Sequence, residues 1–135
     1  MSAAAPLALG IRFGVLGGIL AGLVVAATPA LFGRAGSERV ASYAACLIVM
    51  YAVFVAMRAA ARLNPALGFS GRILPGMAAS AFGALITGAA RYAVSDPRSA
   101  GGGLAPALAL AGTVGFFGVM TALYRLWRHP PRRPG

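Results

Sequence analysis

The chain reads as an all-α protein, a transmembrane four-helix bundle with both termini cytoplasmic. Three observations predict that fold. Of 135 residues, 59% are hydrophobic and 10% charged, whereas an average soluble domain is about half apolar and a quarter charged. So few charges cannot cover the surface of so small a globule in water, which leaves lipid as the main solvent. The apolar residues gather into four runs, each near the ~20 residues an α-helix needs to cross ~30 Å of hydrocarbon. Short breaks rich in turn residues and arginine separate them.

The first span is expected over residues 7–27, closed by Thr28-Pro29. Arg12, the apolar run after it and the small residues near Ala30 imitate a secretory signal peptide. No basic residue precedes Arg12, however, and Pro29 interrupts the small-residue pattern. The run therefore reads as a retained helix. The second span is expected over 40–61 and the third over 73–94, with Asn64-Pro65 marking the turn between them. The fourth covers 104–127, after Ser95-Asp96-Pro97 and Gly101-Gly102-Gly103. Pro75 and Pro106 are placed in the first turns of their helices, where a missing N–H costs little. Backbone groups in lipid must bond internally, so helices are the conformation open to these runs. Residues 1–128 form one domain on this reading, and 129–135, His-Pro-Pro-Arg-Arg-Pro-Gly, an extended arm too rich in proline for a helix.

All twelve basic residues are arginine, set against only Glu38 and Asp96, for a net charge of +10. The arginines punctuate apolar runs rather than forming one solvated patch, which excludes nucleic acid as the expected partner and points to anionic lipid. Four spans put both termini and the second loop on one side, with Arg12, Arg58, Arg62, Arg72, Arg125, Arg128, Arg132 and Arg133. The other side holds Arg34, Arg39, Arg91 and Arg98. Arginine-rich ends face the cytoplasm, so both termini are expected inside, in a bacterial inner membrane. Arg58, Arg62, Arg72, Arg125, Arg128, Arg132 and Arg133 are the expected lipid head-group contacts.

Lipid tails are as apolar as leucine, so these helices must associate through close backbone approach and polar contacts. Gly10, Gly14, Gly18 and Gly22 recur at intervals of four and share one face of the first helix. Gly76, Ser80, Ala84 and Gly88 form a comparable row on the third. These eight are the expected helix-packing residues. The row on the first helix serves either contact within the chain or a glycine-lined oligomer interface.

No catalytic residue, metal ligand or cofactor is expected. Every ionisable residue is placed within about a turn of a span end, where long side chains snorkel to the interface. Ser42, Ser80, Thr87, Thr113 and Thr121 have no neighbour that would activate a nucleophile. Cys46 is alone and reads as a small buried hydrophobe. His129 lacks companions for a metal site. The first helix also lacks the acid that small multidrug exporters carry there.

Ile11-Arg12-Phe13-Gly14 with Gly18, then Glu38, Tyr43, Phe54 and Arg58, then Gly68-Phe69-Ser70, Gly76 and Tyr92, carry a resemblance across residues 11–94. On these residues the chain resembles a family of small four-span bacterial membrane proteins of unknown function. That resemblance implies a four-helix membrane fold and no activity. The expected role is a small non-enzymatic accessory or assembly subunit of a larger membrane complex, whether respiratory, photosynthetic or transport, with other membrane subunits as partners. The alternative is a homo-oligomeric channel or small-solute transporter packed through the glycine row of the first helix. A polar cavity lined by Ser80, Thr87 and Thr113 would favour it.

Overall fold

The computed structural model describes residues 4–32, 37–66, 68–94 and 103–128. They form α1 (Ala4–Phe32), α2 (Ser37–Leu63), α3 (Phe69–Val94) and α4 (Leu104–Arg128). All four helices are long and apolar enough to cross a membrane, and the protein is a small, multi-pass integral membrane protein. Arg34, Asp96, Arg98, His129, Arg132 and Arg133, with the Pro-rich arm, lie outside the described residues.

Two boundaries depart furthest from the sequence expectation. α1 does not stop at Thr28-Pro29 but runs through to Phe32. Pro29 lacks an N–H for the Val25 carbonyl, while the Thr28 hydroxyl bonds the Val24 carbonyl one turn back, so the turn around the proline keeps a hydrogen bond. α3 begins at Phe69 rather than near residue 73, because the Gly68 carbonyl accepts the Arg72 N–H at 3.1 Å and starts the helical ladder early. Pro75 therefore lies inside α3 and not at its start. Its missing N–H leaves the bond to Gly71 unmade. Pro106, by contrast, occupies the third position of α4, where the loss costs little.

The connections follow ordinary turn chemistry. Between α2 and α3, Asn64 Oδ1 accepts the Ala66 N–H at 3.1 Å. Arg72 Nη2 donates to the Pro65 carbonyl at 3.2 Å, tying the loop to α3. Gly103 enters α4 with φ of +99°, a left-handed conformation suited to a residue without Cβ.

In cross-section the bundle is a rhombus. α1 packs on α2 and α3, α4 packs on the same two, and α2 meets α3 across the short diagonal. α1 and α4 do not touch. The core is built of small and β-branched side chains, with Val49, Val53 and Val114 fully buried beside Ala45, Ala56, Ala79 and Ala122. Apart from Leu110 and Leu126, most described leucines and aromatics face outward, among them Leu23, Leu47, Leu85, Phe116 and Trp127. This inversion suits lipid, where large apolar side chains lose nothing by facing the solvent and small ones let backbones approach.

Candidate functional site

The eight residues expected to pack helices all lie in the interior, and each glycine among them faces a neighbouring helix. A Cβ at Gly10 would strike the Pro75 carbonyl oxygen. One at Gly14 would come within 2.7 Å of Ala79 Cα, one at Gly18 within 2.8 Å of Ile86 Cβ, and one at Gly22 within 3.0 Å of Ala90 Cβ. Both sets of numbers rise together, so α1 and α3 run parallel, with the glycine row seated along α3. Gly17 turns the other way, toward Ala52 of α2.

The row on α3 closes a second seam, antiparallel to α4. Gly88 faces Ala111, Gly118 faces Ser80, and Gly76 faces Ala122 together with Met57 of α2. Ala84 lies 3.4 Å from where a Cβ on Gly115 would stand. α3 thus presents small residues to two helices at once, and Gly83 lets Val49 of α2 approach between them.

The hydroxyls of Ser80, Thr87, Thr113 and Thr121 all donate to backbone carbonyls. Ser80 Oγ donates to the Gly115 carbonyl at 2.8 Å, a bond between α3 and α4. Thr87 donates to the Gly83 carbonyl of its own helix at 2.7 Å. Thr113 and Thr121 do the same on exposed faces of α4. Thr113 therefore points away from Ser80 and Thr87, and the three line no common cavity. Among the described residues no buried side-chain nitrogen or oxygen lacks a partner, and no cluster has the composition of a metal site. Cys46 is buried.

Helix register brings six of the described arginines to one end of the bundle: Arg12, Arg58, Arg62, Arg72, Arg125 and Arg128. Arg39 and Arg91 stand at the other end. Arg125 lies 4.2 Å above the Phe54 ring, within electrostatic reach of Arg58 and Arg72. Arg128 Nη1 donates to the Tyr124 hydroxyl at 3.1 Å.

Two of these arginines are deeper than the sequence implied. Gly17 beside Ala52 and Gly18 beside Gly83 mark the mid-level of the bundle. With ~30 Å of hydrocarbon centred on that level, Arg12 would start ~7.5 Å and Arg58 ~9 Å from its middle, at ~1.5 Å per residue. The expectation that every charge sits within about a turn of a helix end fails for Arg12, because α1 begins at Ala4 and places it two turns in. Both arginines are exposed, on the outer faces of adjacent helices.

Sequence reasoning also missed an outer groove between α1 and α2. A segment of about 470 Å³ lies between Phe13, Leu16 and Leu20 on one side and Leu47 and Tyr51 on the other. A second, of about 490 Å³, continues toward the arginine end between Leu9 and Arg58, Arg62 and Leu63. Val55 belongs to both. Tyr51 stands 70% exposed at mid-level, along this groove. The outward direction of α2 there follows from Ala52 and Val53 turning inward, a periodicity that alanine-rich sequence makes hard to read.

No protein-family model, curated protein or solved structure matches this chain.

Proposed function

We propose that this membrane protein is a non-enzymatic accessory or assembly subunit that docks through α4 onto another membrane protein. The outer face of α4 carries this reading. Gly112 is exposed, and a Cβ built there would meet nothing within 4 Å. Ala105, Ala109 and Thr113 are exposed on the same side of the helix. Small residues at this spacing let a second backbone come close, and interhelical packing in lipid depends on such approach. Elsewhere in the bundle comparable rows are filled by the chain's own helices; here the row is open.

The channel alternative loses its main support, since the glycine row of α1 is taken up by α3. Three buried or self-bonded hydroxyls that share no cavity add nothing to it.

On this reading the protein sits in the cytoplasmic membrane with its arginine-rich end inside, following the bias of cytoplasmic loops toward arginine. Purification of the tagged full chain from its native membrane in mild detergent tests the docking. A partner should co-purify in fixed ratio with the wild type and be lost from Gly112→Leu, with helix content and monomer size unchanged. A wild-type chain that emerges alone, or a partner retained by Gly112→Leu, overturns the proposal.

A further inference from the structure

The groove between α1 and α2 has an apolar segment and a segment lined by arginine. Its deep segment is apolar, and its volume of about 470 Å³ falls within the ~300–1,000 Å³ typical of small-molecule sites. Its outer segment is walled by Arg58 and Arg62, one turn apart on α2. Three of the other arginines at this end have occupations of their own: Arg72 on the Pro65 carbonyl, Arg125 over Phe54, Arg128 on Tyr124. Glu38 lies at the opposite end of α2, ~30 Å away along the helix, so no described carboxylate neutralises the pair. An exposed arginine that begins inside the hydrocarbon must reach outward to a phosphate or be matched by a negative group brought to it.

We propose that this groove holds one anionic phospholipid, its phosphate between Arg58 and Arg62 and one acyl chain lying past Val55 and Tyr51 toward Leu20. Arg12, exposed on α1 near the level of Arg58, lines neither segment of the groove. A second copy of the chain is a poorer occupant. A two-fold axis along the membrane normal brings the same patch of each copy together, and so sets Arg58 and Arg62 against their own duplicates.

The proposal concerns the isolated chain and stands or falls apart from the docking through α4. Native mass spectrometry of the full chain, released from detergent with equal phosphatidylglycerol and phosphatidylcholine of matched acyl chains, tests it. The expected species is a monomer with one retained lipid, phosphatidylglycerol favoured on the order of tenfold, since each arginine near an anionic surface contributes appreciably. Arg58→Gln with Arg62→Gln should erase the preference, while Arg39→Gln, at the far end, preserves it. Val55→Trp fills the groove without touching charge and should abolish retention of both lipids. Leu16→Trp, on the facing wall, does the same if Val55→Trp loses helix content by circular dichroism. Inorganic phosphate at millimolar concentration should not displace the lipid. The proposal is overturned by equal retention of the two lipids, by a preference that survives the double variant or vanishes in Arg39→Gln, by displacement with phosphate alone, or by a lipid-free dimer.

Discussion

Ser80 shows how much one hydroxyl does in a bundle without a hydrophobic driving force. Its bond to the Gly115 carbonyl is a side-chain link between helices, and Gly118 is what lets Ser80 approach α4. Interhelical hydrogen bonds in membranes contribute ~0.6–2 kcal/mol, so Ser80→Ala should lower stability by about 1 kcal/mol in a reversible denaturation series in mixed micelles. Gly118→Ala should cost more, because its Cβ would meet Ser80 Cβ at 2.7 Å. Equal stabilities for the two variants would remove the steric part of this account. Ser80 was legible in the sequence as a member of a small-residue row. Its bond to a carbonyl on the last helix was not, because hydroxyls mostly bond their own helix, as Thr87, Thr113 and Thr121 do. The distance of Arg12 from the helix end is hidden for a different reason: α1 begins at Ala4, and alanines at the edge of an apolar run do not mark that point.

The helices themselves were readable, since their apolar runs are long and broken by turn residues; their ends were less so. Asn64-Pro65 and Gly103 fall where the chain turns, whereas Ser70-Gly71-Arg72, which look like loop, are already helical. Proline favours the first turn of a helix, which is why the sequence alone places Pro75 there. Its position in the second turn of α3 is set by tertiary packing, where Gly10 admits the Pro75 backbone at close range. The α1–α3 seam is accordingly the interface most sensitive to bulk. Gly14→Leu must displace the Ala79 backbone, and overpacking of this kind costs ~1–3 kcal/mol or more. We expect Gly14→Leu to reduce the thermal midpoint in detergent sharply and Gly112→Leu, on the open face of α4, to leave it nearly unchanged. Similar losses for both would mean that the bulk of leucine, and not the seam, decides the outcome.

For the whole molecule, the uneven division of arginine between the two ends is the coarsest feature and the one best suited to a direct test. Arg12, Arg58, Arg62, Arg72, Arg125 and Arg128 share one end, and a green fluorescent protein fused after residue 135 should fluoresce in intact cells, as that domain does when it remains in the cytoplasm. An alkaline phosphatase fused at the same place should be inactive. The opposite pair of results would reverse the orientation. The positions of the arginines and the number of spans suffice to frame this expectation, whereas the arrangement of the helices is not legible from them. Small residues occur on every helix, and only the structure distinguishes rows that meet each other from the row that meets nothing.

The parallel pairing of α1 with α3 also sets a schedule for synthesis. Residue 10 must wait for residue 75 before its glycine finds the backbone it fits. At ~5–20 residues per second, the intervening stretch takes several seconds to make. During that interval the first two helices can lie in the bilayer as a hairpin whose glycine face has no mate. An insertion factor that shields this face, or a stray helix that occupies it, would act then, and the arrival of α3 closes the opportunity.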